Sequence, residues 1–352
     1  MEKEGENVED SNTSKKTNGK TFAPLNIPLH RRIETFVVAI YCVLFLFGGF
    51  GFLFLSFYLW WTSYWWLSAL YYSWMYYDWN SSMEGGRRWE FVMKWPMWHY
   101  MANFYPMKLH KTAELDIDNN YLMGFHPHGV MSHGAWVHFG TEGTNFSGLF
   151  PGIRRTLLTL RGHFYFPVIR ELLLMHAICD VSRTSLDFIL GKSGKGNAAV
   201  IVIGGAIESL NARPNLHKLY LEKRRGFVKK AIVHGAHLVP MYSFGETDVY
   251  DQVENPEGSF LRKFQRFLTN MFGFAPPVFH GRGIFNYMFG IIPYRRPINT
   301  VVGKPIPVKQ NPCPTEKEIS KLHEEYKTQL EKLFNEYKSK FGVSKDQKLE
   351  IS

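Results

Sequence analysis

Two imidazoles flanking one proline make His126-Pro127-His128-Gly129 the strongest candidate for chemistry in the chain. Histidine has the ordinary pKa nearest neutrality, so it takes and returns protons at physiological pH. Pro127 fixes its own φ and steers His126 toward extended backbone. Gly129 permits a sharp turn or a close approach of backbone to a ligand. A base that acts on a hydroxyl gains from a carboxylate that fixes its tautomer and steadies the imidazolium. Glu208 is the candidate for that role, because it follows a continuous apolar run, Ala198 to Ile203, and a Gly204-Gly205 pair. The alternative for Glu208 is a solvated carboxylate at a loop or helix start.

The elements that must position these groups follow an α/β pattern. Leu122 to Phe125 delivers the first histidine, and 198–203, 237–242 and 299–302 are further apolar runs of strand length. Helices are expected near 166–177 and 224–234. Buried strands alternating with helices predict a mixed or mainly parallel sheet covered by helices. Catalytic residues in such folds sit in loops after strand C-termini, so His126 and Glu208 are expected to share one rim. Residues 315–341 carry apolar side chains at steps of three and four, from Ile319 to Phe341. Thr315 and Glu318 form a capping-box pattern, and Gly342 offers a stop. That helix either packs on the domain or touches a membrane surface.

The chain has 352 residues, a formal charge of +10 and 16% aromatic residues, which crowd toward the N-terminus. Trp and Tyr favour a lipid interface. The charge suits anionic lipid or a phosphorylated substrate. No zinc-finger spacing, RNP-like motif or long basic tract supports nucleic acid. Cys42, Cys179 and Cys313 are odd in number and far apart, which fits a reducing compartment. Residues 1–20 are polar and predict disorder.

No Asp, Glu, Lys or Arg occurs from Phe36 to Tyr77. As helix that stretch would span about 63 Å, roughly two crossings of a ~30 Å hydrocarbon core. Trp60, Trp61, Tyr64, Trp65 and Trp66 lie near its middle, which predicts a membrane hairpin whose tip sits at the far interface or in a re-entrant bend. Arg31-Arg32 and Arg87-Arg88 flank it, so both ends are expected in the cytosol. The expected division is a disordered tail (1–35), a hairpin (36–79), a catalytic domain (80–312) and a C-terminal helix with its tail (313–352).

Other motifs fail. Gly191 to Gly196 lacks the Walker spacing, and no G-x-S-x-G elbow is present. His126, His128, His133 and His138 have no HEXXH pattern and no carboxylate among them, so no metal site is expected.

Several ordered blocks together resemble the diacylglycerol acyltransferase type 2 family, which includes monoacylglycerol and wax-alcohol acyltransferases. They are FHPHG (125–129), PGIRRTLLTLRGHFYFPVIRELL (151–173), GGAIES (204–209), RRGFVKKAIVHGAHLVPMYSFGETDVY (224–250) and GRGIFNYMFGIIPYRRPINTVVGKPIPV (281–308). The resemblance covers most of the chain beyond residue 30. It implies a membrane-anchored glycerolipid-acyltransferase-like domain of the endoplasmic reticulum and lipid droplets. Its reaction would move a fatty acyl group from acyl-CoA to a lipid hydroxyl, diacylglycerol first. Monoacylglycerol, a long-chain alcohol or retinol are the alternatives within that chemistry. A non-catalytic lipid-droplet hairpin protein is the alternative class.

The wider glycerolipid acyltransferases place an Asp five residues after the histidine. Here Met131 and His133 stand at those positions, so the carboxylate must come from elsewhere, and Glu208 is expected to orient the base. Within this frame His128 is favoured as the base over His126, which would position the ring or bind the acyl carbonyl. Pro127 and Gly129 would border the substrate. Amides near Gly129 or Gly204-Gly205 would hold the oxyanion. Arg224, Arg225, Lys229, Arg295 and Arg296 are the candidates for the CoA phosphates. Acyl-CoA is a co-substrate, and no metal or other cofactor is expected. The partners are the lipid acceptor, the bilayer and the lipid droplet, and a homo-oligomer stays open.

Overall fold

The computed structural model describes residues 22–352 except Leu25, Glu257 and 273–276. The expected disordered segment 1–20 lies outside the described residues. The backbone forms α1 (Leu29–Trp60), α2 (Trp65–Tyr77), α3 (Met97–Phe104), β1 (Lys108–Lys111), β2 (Tyr121–His126), β3 (Arg154–Thr159), α4 (Ile169–Met175), β4 (Cys179–Asp180), β5 (Asn197–Val202), α5 (Gly205–Ser209), α6 (Gly226–His234), β6 (His237–Phe244), β7 (Asp251–Gln252), α7 (Phe260–Phe272), β8 (Phe279–His280), β9 (Asn299–Val302) and α8 (Glu316–Tyr337), with shorter turns between.

A seven-stranded sheet has the order β1-β9-β6-β2-β5-β3-β4. Every pairing in it is parallel except β9 with β6. Parallel strands are buried on both faces, which is why they appear as continuous apolar runs. Leu122, Ala199, Ile201 and Leu238 face one core, where Phe227, Tyr326, Leu330 and Phe334 cover them. Tyr121, Met123, Phe125, Val200 and Val239 face the other, under Phe139, Phe146, Phe150 and Leu174. Register pairs Phe125 with Val202 and His126 with Tyr242, so β2, β5 and β6 end on one rim.

Helix α8 belongs to the first core: Ile319, Tyr326, Leu330, Leu333 and Phe334 are buried. Of the two expected environments for this helix, the domain takes its apolar face. Its start is capped reciprocally. Glu318 N–H donates to Thr315 Oγ1 at 3.3 Å, and Thr315 N–H donates to the Glu318 carboxylate at 2.8 Å. Thr315→Ala is expected to lower unfolding stability by about 1 kcal/mol, read by denaturant titration in detergent, since one helix-end donor loses its acceptor.

The N-terminal segment departs from its expected boundaries in two ways. Helix begins at Leu29 rather than after residue 35, and Glu34 is buried against the domain. Val37, Val38, Tyr41 and Cys42 share a core with Trp98, Met101 and Phe104 of α3. The first part of α1 is therefore domain as well as hairpin. The turn does fall at Trp61–Tyr64, between the flanking aromatic residues, but the arms are unequal. Leu29–Trp60 is long and apolar enough to cross a membrane. The 13 residues of α2 reach only about 20 Å, short of a ~30 Å hydrocarbon core. The return ends at Asp78, which bonds Arg87 and, at 2.6 Å, Arg170. Arg87 also reaches Glu171, at 2.5 Å. The first charges after the apolar stretch thus lock the hairpin to the domain.

Candidate active site

His126 is the last residue of β2, and the chain turns there through the cis His126-Pro127 bond. Gly129 takes a positive φ of 63°, and a Cβ there would lie 2.8 Å from Glu246 Cγ. Glycine is therefore required twice over, by conformation and by contact.

The two histidines have different surroundings. His126 is fully buried, and its Nε2 lies 3.1 Å from the Tyr326 hydroxyl. That hydroxyl in turn points at the Gly124 carbonyl, 3.4 Å away. Burial lowers the His126 pKa to about 3, so the ring stays neutral. His128 is only half-buried. Its Nδ1 lies 3.0 Å from the Gly129 carbonyl. A carbonyl only accepts, so the proton resides on Nδ1 and the Nε2 lone pair is left as the basic site. Burial lowers the His128 pKa as well, against the opposing pull of the Gly129 carbonyl. The ring is neutral at physiological pH.

Glu208 reaches the same rim from β5. Its helix, α5, starts directly after Gly204, and a Cβ on Gly204 would sit 1.8 Å from the Glu208 carboxyl carbon. Gly204 leaves room for that carboxyl to fold back, and Gly205 takes a positive φ of 59°. Glu208 is buried, so the solvated-carboxylate alternative does not apply. One oxygen accepts the His128 main-chain N–H at 2.9 Å, and the other accepts the Tyr220 N–H at 2.8 Å. The expected carboxylate-to-imidazole contact is not what forms. Glu208 grips the backbone of His128, and the Gly129 carbonyl orients the ring. Burial pushes the Glu208 pKa up to about 7, while the two N–H groups and the Arg224 charge pull it down.

A second buried carboxylate stands behind the turn. Glu246 accepts the Gly134 N–H at 2.9 Å and packs on Gly129. Burial pushes its pKa up to about 8. The block 224–250 contains this residue but gave the side chain no role; besides the nearby Ser243 hydroxyl, 3.4 Å away, its partners at the turn are more than a hundred residues away. Tyr326 also carried no sequence signal beyond its place in an apolar repeat.

The basic candidates divide. Arg224, Arg225 and Lys229 are exposed around the start of α6, with Arg225 3.4 Å from Ser320 Oγ and Arg224 close enough to act on Glu208. Arg295 instead pairs with Glu34 of α1 and stacks 4.3 Å over Phe104. Its charge is engaged by Glu34, which holds α1 to the domain. Arg296 is exposed beside the Tyr294 ring. Among the described residues, no three His, Cys, Asp or Glu side chains are grouped to hold a metal ion. His133 is separated from the pair and lies among the rings of Tyr41, Tyr105 and Tyr250.

The model of the diacylglycerol acyltransferase family matches residues 57–352. Among similar proteins, 2-acylglycerol O-acyltransferase 1 of Bos taurus is 47% identical over 332 residues, covering 93% of this chain and 98% of its own. Diacylglycerol O-acyltransferase 2 of Homo sapiens is 47% identical over 274 residues, covering 78% of this chain and 71% of its own. Among solved structures, a 1-acyl-sn-glycerophosphate acyltransferase of Thermotoga maritima aligns over 86% of this chain and 94% of its own at 13% identity, with a TM-score of 0.39.

Proposed function

The chain belongs to the diacylglycerol acyltransferase family and is an acyl-CoA-dependent acyltransferase; we propose that it acts on an acylglycerol hydroxyl with His128 as general base. The observation that carries the assignment of the base is the His128 tautomer: Nδ1–H is spent on the Gly129 carbonyl, and Nε2 has no partner among the described residues on a half-buried ring. His126 is sealed and bonded to Tyr326, so it serves as the post under the turn rather than as an acyl ligand.

In the reaction, His128 Nε2 takes the proton of the acceptor hydroxyl. The oxygen attacks the thioester carbonyl, and the tetrahedral intermediate collapses by breaking the C–S bond. The proton on His128 passes to the departing thiolate, which is a good leaving group and needs little help. Main-chain amides around Gly129 and Gly204-Gly205 hold the oxyanion. Glu208 fixes where His128 stands. Arg224, Arg225 and Lys229 offer charge to the CoA phosphates on the same side as Glu208. The long apolar helix α1 anchors the enzyme in the endoplasmic reticulum membrane, where both substrates partition.

Diacylglycerol was the first acceptor expected from the sequence. Identities of 47–48% to diacylglycerol enzymes and 43–47% to 2-acylglycerol enzymes keep it in range, but the 2-acylglycerol enzymes align over nearly their whole length. That favours 2-acylglycerol as the first acceptor. Purified protein with radiolabelled acyl-CoA is expected to label products from 2-acylglycerol and diacylglycerol, the former faster. Label in diacylglycerol-derived product alone would reverse the order. No transfer to these lipids, a long-chain alcohol or retinol would leave only the non-catalytic reading.

A further inference from the structure

Helix α1 has a second face that the domain leaves open. Phe36, Ile40, Val43, Phe47, Phe50 and Phe54 recur at steps of four and three, and each is at least 37% exposed. This stripe starts where the opposite face, at Val37 and Tyr41, still packs on the domain. A lipid environment that satisfies the stripe must therefore reach the flank of the domain itself, below the hairpin.

More apolar surface meets the foot of α1. The loop after β8 is tied there: Ala23 N–H donates to the Phe285 carbonyl at 2.9 Å, and Arg282 donates to Thr35 Oγ1 at 3.2 Å. The loop exposes Ile284, Phe285, Met288 and Phe289, the two phenylalanines by more than 70%. Strand β8 pairs with β7, and α7 is the excursion between them. Helix α7 exposes Phe260, Phe264 and Phe267, spaced four and three apart on one side. It contains no Asp or Glu, and Lys263 and Arg266 are exposed beside the phenylalanines. Aromatic side chains on one face, with cations alongside, characterise helices that lie in a lipid headgroup region. Exposed apolar surface of this extent marks a contact site rather than bare solvent.

We propose that α7 and the loop Ile284–Ile291 form a second membrane-contacting face, continuous with the outer stripe of α1, so that the domain lies against the bilayer instead of hanging from the hairpin. The occupant is bilayer lipid: the exposed Lys263 complements anionic headgroups, and the patch joins the helix that enters the membrane. This rests on the anchoring role proposed for α1 but not on the assignment of His128.

The test uses the full chain with Cys313→Ser, since Cys42 and Cys179 are buried. A fluorescent label is placed at Phe264→Cys, at Phe289→Cys and, as a reference on a polar exposed turn, at Asp346→Cys. Protein is reconstituted in phosphatidylcholine–phosphatidylserine vesicles and recovered by flotation. The labels at 264 and 289 are expected to shift to the blue and to be quenched by spin-labelled lipid, unlike that at 346. Labels at 264 and 289 that iodide quenches as readily as at 346 would overturn the proposal. Labels shielded from both quenchers would assign the face to a second copy or another protein and overturn it as well. Protein that fails to float would remove the anchor and the face together. As an independent reading, Phe264→Ser with Phe289→Ser is expected to slow acylation of acceptor held in vesicles while sparing acceptor dispersed in detergent. An equal loss in both would overturn the proposal by making the effect one of folding.

Discussion

Replacing His128 with alanine is expected to lower kcat by about 10²- to 10⁴-fold, the range supplied by a positioned general base. That corresponds to about 3–5 kcal/mol of transition-state stabilisation. Binding of acyl-CoA and the melting temperature should stay near wild type. The ring bonds main chain of its own turn and is half-buried, so its removal opens no deep cavity. His126→Ala provides the contrast. That ring is fully buried and bonded to Tyr326 across the core, so its loss should cost about 2–4 kcal/mol of stability. A rate measurement paired with a melt therefore separates the two histidines. Activity retained in His128→Ala would remove it as the base.

The pH dependence follows from the same geometry. His128 works only when neutral, and its pKa lies below the ordinary value of about 6.5. Protonation, and with it loss of rate, sets in as pH falls through that lowered value. The acid limb assigned to His128 thus lies below pH ~6.5. His126, with a pKa of about 3, contributes no limb in the working range.

The strands were legible because burial on both faces writes an apolar run into the chain, as in Ala198 to Ile203. Helix α8 was legible because one buried face repeats at steps of three and four. Glu208 was legible by its place after a strand and a Gly-Gly pair. What it touches was not, because the acceptor of a main-chain N–H leaves no residue-type signature at the donor. The distinction between His126 and His128 was hidden for a related reason. It depends on Tyr326, 200 residues away, and on one carbonyl orientation. Glu246 was hidden because its role arises from packing on Gly129. Helix α1 hid its contact with the domain because an apolar face that packs on a domain has the same composition as one that stays exposed. Arg295 looked available for phosphate because Glu34, its partner, lies in a segment expected to be disordered.

Glu208 is the second site where a large effect is expected, and its mode of action makes a distinct prediction. Both carboxylate oxygens accept a main-chain N–H, one from His128 and one from Tyr220. In Glu208→Gln one acceptor becomes an NH₂ group facing an N–H donor. A buried donor left without an acceptor costs about 1–3 kcal/mol, and the His128 backbone shifts in response. The kcat is expected to fall about 10- to 100-fold with KM for acyl-CoA nearly unchanged, because the residue positions the base and does not touch the CoA. Protonating the native carboxyl has a similar effect, since the protonated oxygen loses its charge and accepts only weakly. The Glu208 pKa is pushed up to about 7. The wild-type rate should therefore fall in two stages as pH drops, first near 7 as Glu208 takes a proton and then below ~6.5 as His128 does. In Glu208→Gln the first stage should vanish and the second persist. A merely structural carboxylate would lower the rate evenly across pH and leave both stages in place. That pattern would return the turn to a single positioning contact, the Gly129 carbonyl.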